Sequence, residues 1–455
     1  MKNCLSTSRL LGYKQHLLVI LICLLFCVAQ AVATVRTVTS AKSGKWNDVT
    51  TWIGGTIPGM GGYQDEVIIA ANHTITVPSP TVPNSVLTAS CENIEIKANA
   101  RLIIQGSKSI LSIRNSNSLK PGLVLKDPGA QCINYGIIGF STASATTPNA
   151  NPAILVSQNT TFTNSSCVNI QGPWNIGIKS DGTFINQGFG TFSEYWDQTF
   201  TFTYEMGIII NVSANTSTGI YVASGLEFIN EGDINISFVS GTTSRTGISV
   251  MPGNVFTNYG KVSIVNNNAA AYGMRLSGST FNNYGEIHAI GYGIYSEKSG
   301  TISGVINNYR IGIDIADFAI MSAITSLVFN NMEWANLYVG AALTNNNVKF
   351  NFSAPNNTVT YVGAGGVPIK VPADGYYWNL ALNLTGTGKA DSLTANITVK
   401  NQLILTSGVL NLSGKVLSIT NVLGSGPSAG ISGGCDTAYI KSETSNSRVN
   451  RKDGI

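Results

Sequence analysis

The chain has 455 residues, of which 11% are charged and 48 are glycine, and its formal net charge is +4. Three of the four net charges lie in the first 33 residues, so the rest of the chain has no basic stripe and nucleic acid is not indicated as a partner. No later segment has a sustained helical period, and Val, Ile, Thr, Asn and Ser predominate. These features predict an all-β protein.

The first 33 residues are typical of a secretion signal. Lys2, Arg9 and Lys14 precede the unbroken apolar stretch Leu17–Val28, which is short for a bilayer span. Small residues at Ala31-Val-Ala33 favour cleavage after Ala33, with an uncleaved anchor as the alternative. We therefore expect a secreted or cell-surface protein, extracellular or at an outer membrane, with no membrane span in the mature chain.

Residues 34–90 predict a small β module that caps the first turn of a longer β body. The segment Gly44–Pro58 holds two of the six tryptophans, and Asp65–Ile69 and Thr74–Val77 alternate as strands do. The open end of a β-solenoid exposes unpaired strand edges, which a terminal module can cover. His73 lies at the turn between these strands, and we interpret it as a turn residue in preference to a metal ligand or a base.

The pattern of Gly44–Pro58, Asp65–Ile69 and His73–Val77 resembles the opening module of large exported surface proteins of Bacteroidota and, more distantly, G8-type modules. The later run Asn396–Leu412 resembles the rungs of such proteins. The resemblance implies a C-terminal sorting domain. Residues 441–455 depart from it, because they are polar and aperiodic. We expect a disordered or truncated tail there, which puts stable surface attachment in doubt.

A short phrase, Phe-x-Asn-x-Gly, recurs in the middle of the chain and is preceded by Gly-Ile-x-Val. Copies begin at four phenylalanines: Phe184, Phe228, Phe256 and Phe281. The corresponding asparagines, with a worn copy at the end, are Asn186, Asn230, Asn258, Asn283 and Asn308. Self-similarity at 20–30 residues is the signature of a solenoid, so we predict a right-handed parallel β-helix. Earlier copies are expected at Cys132-Ile-Asn134 and Phe162-Thr-Asn164.

Each copy predicts inward Phe and Asn side chains on one strand, with the Asn amides bonded to the turn of the next rung. The glycine would allow a bend with positive φ. The spacing of 44 residues between Asn186 and Asn230 is interpreted as two steps of 22.

The organisation follows from these repeats. Rungs are expected over 91–335, further β rungs over 336–425 and a polar tail over 426–455. About 330 residues at roughly 25 per turn give about 13 rungs, or a rod about 60 Å long at ~4.8 Å per rung.

Four cysteines remain after signal cleavage: Cys91, Cys132, Cys167 and Cys435. An even number permits two disulfides in an exported protein, with buried free thiols as the alternative.

Few residues are candidates for catalysis or metal binding. Asp233, Lys261 and Glu286 occupy corresponding places in successive copies and predict an alternating-charge ladder, which we prefer to a catalytic cluster. No cofactor is expected; calcium is left open at Asp314 and Asp317, although two carboxylates are too few for a typical site. No nucleophile elbow, P-loop or His-Glu-x-x-His motif is present.

Tyr259, Tyr284 and Tyr309 also align from copy to copy. An outward tyrosine ladder could bind the apolar faces of sugar rings; ordinary stacking between rungs is the alternative that we prefer.

These observations predict an exported, non-enzymatic β-helical surface or matrix protein of adhesin-like character. Cell-surface or extracellular glycans or proteins are the expected partners. The alternative is a polysaccharide-binding or polysaccharide-degrading protein of the same fold, as a lyase or a hydrolase. A clustered carboxylate and basic group in one groove would distinguish it.

Overall fold

The fold is described from a computed structural model of the chain. The described residues are 35–60, 65–81, 86–116, 119–142, 148–188, 191–195, 201–214, 217–224, 227–238, 245–265, 272–289, 294–297, 304–309, 313–315, 320–322, 327–339, 348–385, 390–424, 429–432 and 440–442. The predicted signal sequence and most of the polar tail lie outside them.

The chain forms three long parallel sheets that share one core. Sheet 1 has eleven strands in stacking order: Arg36–Thr39, Asp65–Ile69, Asn93–Ile96, Leu123–Leu125, Asn149–Val156, Trp174–Ser180, Thr218–Val222, Thr246–Val250, Tyr272–Ser277, Ile294–Glu297 and Ile320–Ser322. Sheet 2 has twelve: Gly44–Lys45, Thr74–Val77, Arg101–Ile104, Gln131–Asn134, Thr161–Asn164, Thr183–Asn186, Glu227–Asn230, Val255–Asn258, Thr280–Asn283, Gly304–Asn308, Leu327–Asn331 and Val348–Asn351.

Sheet 3 is the longest and runs beyond the other two. Its strands are Leu87–Cys91, Ser109–Asn115, Ile137–Thr142, Cys167–Gly172, Gly207–Val212, Asp233–Phe238, Lys261–Val265, Glu286–Ala289, Ile313–Ile315, Asn336–Val339, Thr358–Gly363, Tyr377–Leu384, Ile397–Asn411, Leu417–Gly424 and Ile440–Ser442. A short fourth sheet pairs Pro368–Ile369, Ala390–Leu393 and Ala429–Ser432 with the end of Ile397–Asn411. Two 3₁₀ turns, Val49–Thr51 and Ile53–Gly55, lie near the start.

One turn of the solenoid takes one strand from each sheet in chain order. Thr218–Val222, Glu227–Asn230 and Asp233–Phe238 form such a rung, and each strand pairs in parallel with its equivalent in the next rung. Alternate side chains point inward, so Phe228, Ile234 and Ile236 are buried in the shared core. The prediction of an all-β parallel β-helix is confirmed.

The early copies of the repeat lie in register with the later ones. Asn134 pairs with Asn164, and Asn164 with Asn186. The long interval that follows was predicted wrongly as two rungs. Asn186 and Asn230 are direct register partners, because the extra residues include an antiparallel hairpin, Thr191–Tyr195 with Thr201–Glu205.

The segment predicted as an N-terminal module contributes the first strands of the same sheets. Arg36–Thr39 pairs in parallel with Asp65–Ile69, which pairs with the next rung. Trp46 and Trp52 pack edge to face with ring centroids 5.3 Å apart, and both are buried. The segment therefore begins the solenoid, and its role as a cap stays a prediction.

The described cysteines are buried. Cys91 and Cys132 are thiols whose pKa values burial raises above the ordinary range. Cys167 is also buried, and Cys435 lies outside the described residues.

Candidate functional site

The corner between sheets 2 and 3 carries a buried row of asparagines, called here the inner amide ladder. Its members are Asn134, Asn164, Asn186, Asn230, Asn258, Asn283, Asn308 and Asn331. Each side-chain Nδ2 donates to Oδ1 of the next member at 2.7–3.0 Å. The register predicted for these residues is observed, and Asn331 extends it by one member that the sequence analysis missed.

The inner amides also bond to the backbone of the turns. Asn258 Nδ2 donates to the carbonyl of Gly260 at 3.2 Å and to that of Glu286, on the next rung, at 3.1 Å. Asn186 reaches the carbonyl of Asp233 at 2.9 Å in the same way. Because a buried carbonyl without a donor is costly, the asparagine satisfies turn groups that the sheets leave unpaired.

The glycine of the repeat has a different role from the predicted one. Gly232, Gly260 and Gly285 do not have positive φ angles. A Cβ on Gly260 would meet the carbonyl oxygen of Gly232 at 2.0 Å, and one on Gly285 would meet that of Gly260 at 1.9 Å. Glycine is required here because consecutive corners are in backbone contact.

The phenylalanines of the repeat form a stack inside sheet 2. The ring centroids of Phe184 and Phe228 lie 4.8 Å apart, and those of Phe228 and Phe256 lie 5.2 Å apart, with nearly parallel rings. Phe281 continues the column, tilted by 49° from Phe256. All four are fully buried, so the Phe and Asn columns are structural.

The predicted tyrosine ladder lies outside the same corner. The rings of Tyr259 and Tyr284 are stacked at 4.7 Å and those of Tyr284 and Tyr309 at 4.3 Å. Both faces of Tyr284 are therefore covered by other tyrosines, so the ladder presents ring edges and hydroxyls along most of its length. Burial is the largest cause that raises the pKa of Tyr284. Tyr309, then Tyr259 and Glu227, raise this pKa by smaller amounts.

Beside the tyrosines, sheet 3 begins with the predicted charge ladder. Asp233 and Lys261 are register partners, as are Lys261 and Glu286. Lys261 and Glu286 are exposed at the surface. At about 4.8 Å per rung, the two carboxylates are held two rungs apart with a lysine between them.

A second row of asparagines lies on the outer face of sheet 2, and we call it the outer amide ladder. It comprises Asn282, Asn307, Asn330 and Asn351. Asn307 Nδ2 donates to Asn282 Oδ1 at 3.0 Å, Asn330 to Asn307 at 2.9 Å, and Asn351 to Asn330 at 2.8 Å. The sequence analysis missed this ladder, although the doubled Asn in three successive copies was a visible signal.

The outer amides lie between two other columns. On one side are the half-buried Val255, Thr280, Val305 and Val328, and on the other is the tyrosine ladder. We call these three columns together the outer strip. Its positions over these rungs are uncharged, and the columns end at charged residues, Glu227 and Glu231 at one end and Lys349 at the other.

The upper end of the outer strip opens into a pocket of about 310 Å³. Asn330, Asn351 and Asp374 line it together with Ser353. The Ser353 backbone N–H donates to Asp374 Oδ2 at 2.8 Å. Asp374 Oδ1 is shielded from solvent and has no hydrogen-bond partner among the described residues.

The other candidates lie away from this face. His73 Nδ1 is 2.8 Å from the buried Ser40 Oγ, and its backbone carbonyl accepts from Arg101, so it has the contacts of a turn residue. Within the described ranges, no group of three or more His, Cys, Asp or Glu side chains is placed to hold a metal. Asp317 lies outside those ranges.

No family model, curated protein or solved structure matches the chain. The description of the site therefore rests on its geometry. Nothing helical in the described part of the chain has the length and apolar character that a bilayer crossing requires.

Proposed function

We propose that the protein is an exported, non-enzymatic β-helical surface or matrix protein of adhesin-like character, which displays binding surfaces on a stiff rod. The observation that carries this proposal is the alignment of outward side chains into continuous columns over consecutive rungs. Such columns make a long, flat surface of uniform chemistry, which suits attachment to a repetitive partner.

The interior supports the same role. Seven consecutive amide hydrogen bonds join eight rungs, and a phenylalanine stack runs beside them. Sheet 2 has twelve described strands and spans about 50 Å at ~4.8 Å per strand, and sheet 3 runs further. Each rung braces its neighbours, which keeps the outer columns in register for a partner.

The resemblance to exported surface proteins of Bacteroidota and the signal-like first 33 residues support export as part of the proposal. We expect mature protein to begin near Thr34. N-terminal sequencing of exported material tests this, and a sequence beginning at Met1 would contradict cleavage.

The non-enzymatic part is tested with pectic, alginate and glucan polymers, with and without calcium. We expect adhesion to immobilised glycans or matrix proteins and no new reducing ends or unsaturated products. The second candidate is a polysaccharide-degrading protein, in which the aligned Asp233, Lys261 and Glu286 would carry the chemistry. Turnover that disappears in Lys261→Ala or Glu286→Ala would establish that candidate and reject the proposal.

A further inference from the structure

We propose that the outer strip binds an extended, uncharged β-linked polysaccharide chain that lies along the solenoid axis, with about one sugar ring per rung. The inference rests on the proposed function and names the partner of its display surface. Four features of the strip support it: its period, its hydrogen-bonding capacity, its apolar column and its lack of charge.

The period of the strip matches that of the ligand. Equivalent side chains in neighbouring rungs repeat at the strand spacing of about 4.8 Å. In an extended β-1,4-linked chain each pyranose ring advances by a distance close to that spacing. A chain parallel to the axis would therefore place equivalent hydroxyls beside equivalent amides over several rungs.

The outer amides retain hydrogen-bonding capacity. An Asn amide has two N–H donors and a carbonyl oxygen with two lone pairs. Asn307 and Asn330 each use one donor and one acceptor site within the ladder. Both are half-buried, so each can offer an N–H and a lone pair to a sugar hydroxyl.

The remaining columns match the two kinds of surface on a pyranose ring. Val255, Val305 and Val328, with Thr280 between the first two, provide a largely aliphatic row for the axial C–H faces of the sugars. Tyr284 and Tyr309 provide ring edges and hydroxyls along the opposite border. Both ring faces of Tyr284 are covered by Tyr259 and Tyr309, so at Tyr284 the contact differs from the predicted packing of sugars on aromatic faces.

The charges on and beside the outer strip indicate which class of polysaccharide it binds. Between Glu227 and Lys349 the three columns carry no charge, and the adjoining ladder of Asp233, Lys261 and Glu286 alternates in sign, so an uncharged chain is favoured. At the upper end, Asn330 and Asn351 also line the 310 Å³ pocket, so the outer amide ladder leads into it.

The test uses the full chain and soluble polysaccharides in affinity gel electrophoresis. Hydroxyethylcellulose is the neutral β-1,4-linked probe, carboxymethylcellulose its charged analogue, and dextran a neutral chain of different linkage. We expect retardation by hydroxyethylcellulose that is at least tenfold stronger than by the other two. Equal retardation by dextran or stronger retardation by carboxymethylcellulose would overturn the inference.

The variant Asn307→Leu/Asn330→Leu removes two outer amides and keeps side chains of similar size. We expect at least a tenfold loss of affinity for hydroxyethylcellulose. Asn235→Leu is the matched control, since Asn235 is half-buried and points outward on sheet 3. Tyr284→Phe should weaken binding several-fold without changing the fold, which circular dichroism checks.

The outcomes separate the inference from the proposed function. If the wild-type protein adheres to glycans or matrix proteins but the double variant binds as well as the Asn235→Leu control, the inference fails and the display function stands. If wild-type protein releases reducing ends from any polymer, the proposed function fails whatever the variants do.

Discussion

The two asparagine ladders of this molecule have the same side chain and the same period but different surroundings. The inner amide ladder is buried at a corner and bonds to backbone carbonyls of the turns. The bonds of the outer amide ladder run between its own side chains on an open sheet face. The backbone fixes the orientation of the inner amides, whereas Asn307 and Asn330 in the outer ladder keep an unused N–H and lone pair. Identical chemistry thus serves stability on one side of the sheet and, by our proposal, binding on the other.

The largest expected effect concerns the core that the inner ladder borders. Phe256→Ala removes a fully buried ring from the middle of the phenylalanine stack and should lower the free energy of unfolding by about 3–5 kcal/mol. Chemical denaturation of the purified chain measures this. A loss below about 1 kcal/mol would show that the stack does not stabilise the rungs.

The inner ladder itself should be the next most sensitive feature. Asn258→Ala leaves the turn carbonyls of Gly260 and Glu286 without their side-chain donor and breaks two ladder bonds. We expect a loss of about 1–3 kcal/mol, because unsatisfied buried polar groups carry the cost of desolvation. The same denaturation experiment checks it. Unchanged stability would mean that water or backbone shifts satisfy these groups.

Buried and outer tyrosines extend the comparison to pH. The hydroxyls of Tyr361 and Tyr377 lie 3.3 Å apart in the core, and burial raises the pKa of Tyr361 from 10.0 to about 12. Since the folded pKa exceeds the unfolded one, the stabilisation is complete below pH 10 and is lost as the pH rises toward 12.

In the Tyr361→Phe variant, the free energy of unfolding should therefore fall less between pH 10 and 12 than in the wild type. It should also destabilise the chain at neutral pH, because the Lys370 N–H loses its acceptor. Tyr284→Phe is the control on the outer ladder, where burial and then Tyr309 raise the pKa of Tyr284. This variant should alter the alkaline slope less. Equal slopes in both variants would contradict the distinction between inner and outer phenols.

The smallest effect is expected at the exposed charge ladder. Lys261→Ala should change the free energy of unfolding by about 0–1 kcal/mol, since solvent and salt screen such pairs. Denaturation at low and high ionic strength measures it. A loss well above this range would show that Lys261 has a structural role that its exposed position does not indicate.

The inner ladder could be predicted from the sequence because three constraints coincide in it. Asn258 must face inward, Phe256 must lie two positions earlier, and Gly260 must allow the corners to touch. The doubled Asn of three successive copies was a signal of the outer ladder. It was missed because an outward Asn such as Asn307 has no Phe and Gly at fixed spacing to set it apart from a general excess of asparagine.

Spacing alone also failed to distinguish a rung from an insertion. The interval between Asn186 and Asn230 fits two short rungs, but the chain forms the hairpin Thr191–Tyr195 with Thr201–Glu205 instead. The ends of the sheets could not be predicted from the sequence either. Among the described residues, sheet 1 ends at Ile320–Ser322 while sheet 3 continues to Ile440–Ser442, and the alternating pattern is the same in both.

Asn307 and Asn308 give the most direct test, because these neighbours in sequence lie on opposite faces of one strand. Each is replaced by alanine, and both the free energy of unfolding and the affinity for hydroxyethylcellulose are measured. We predict that Asn308→Ala loses about 1–3 kcal/mol of stability and retains affinity when folded. Asn307→Ala should stay within about 0.5 kcal/mol of wild type and bind more weakly. Equal effects of the two substitutions, or the reverse assignment, would contradict the division between a structural inner ladder and a binding outer one.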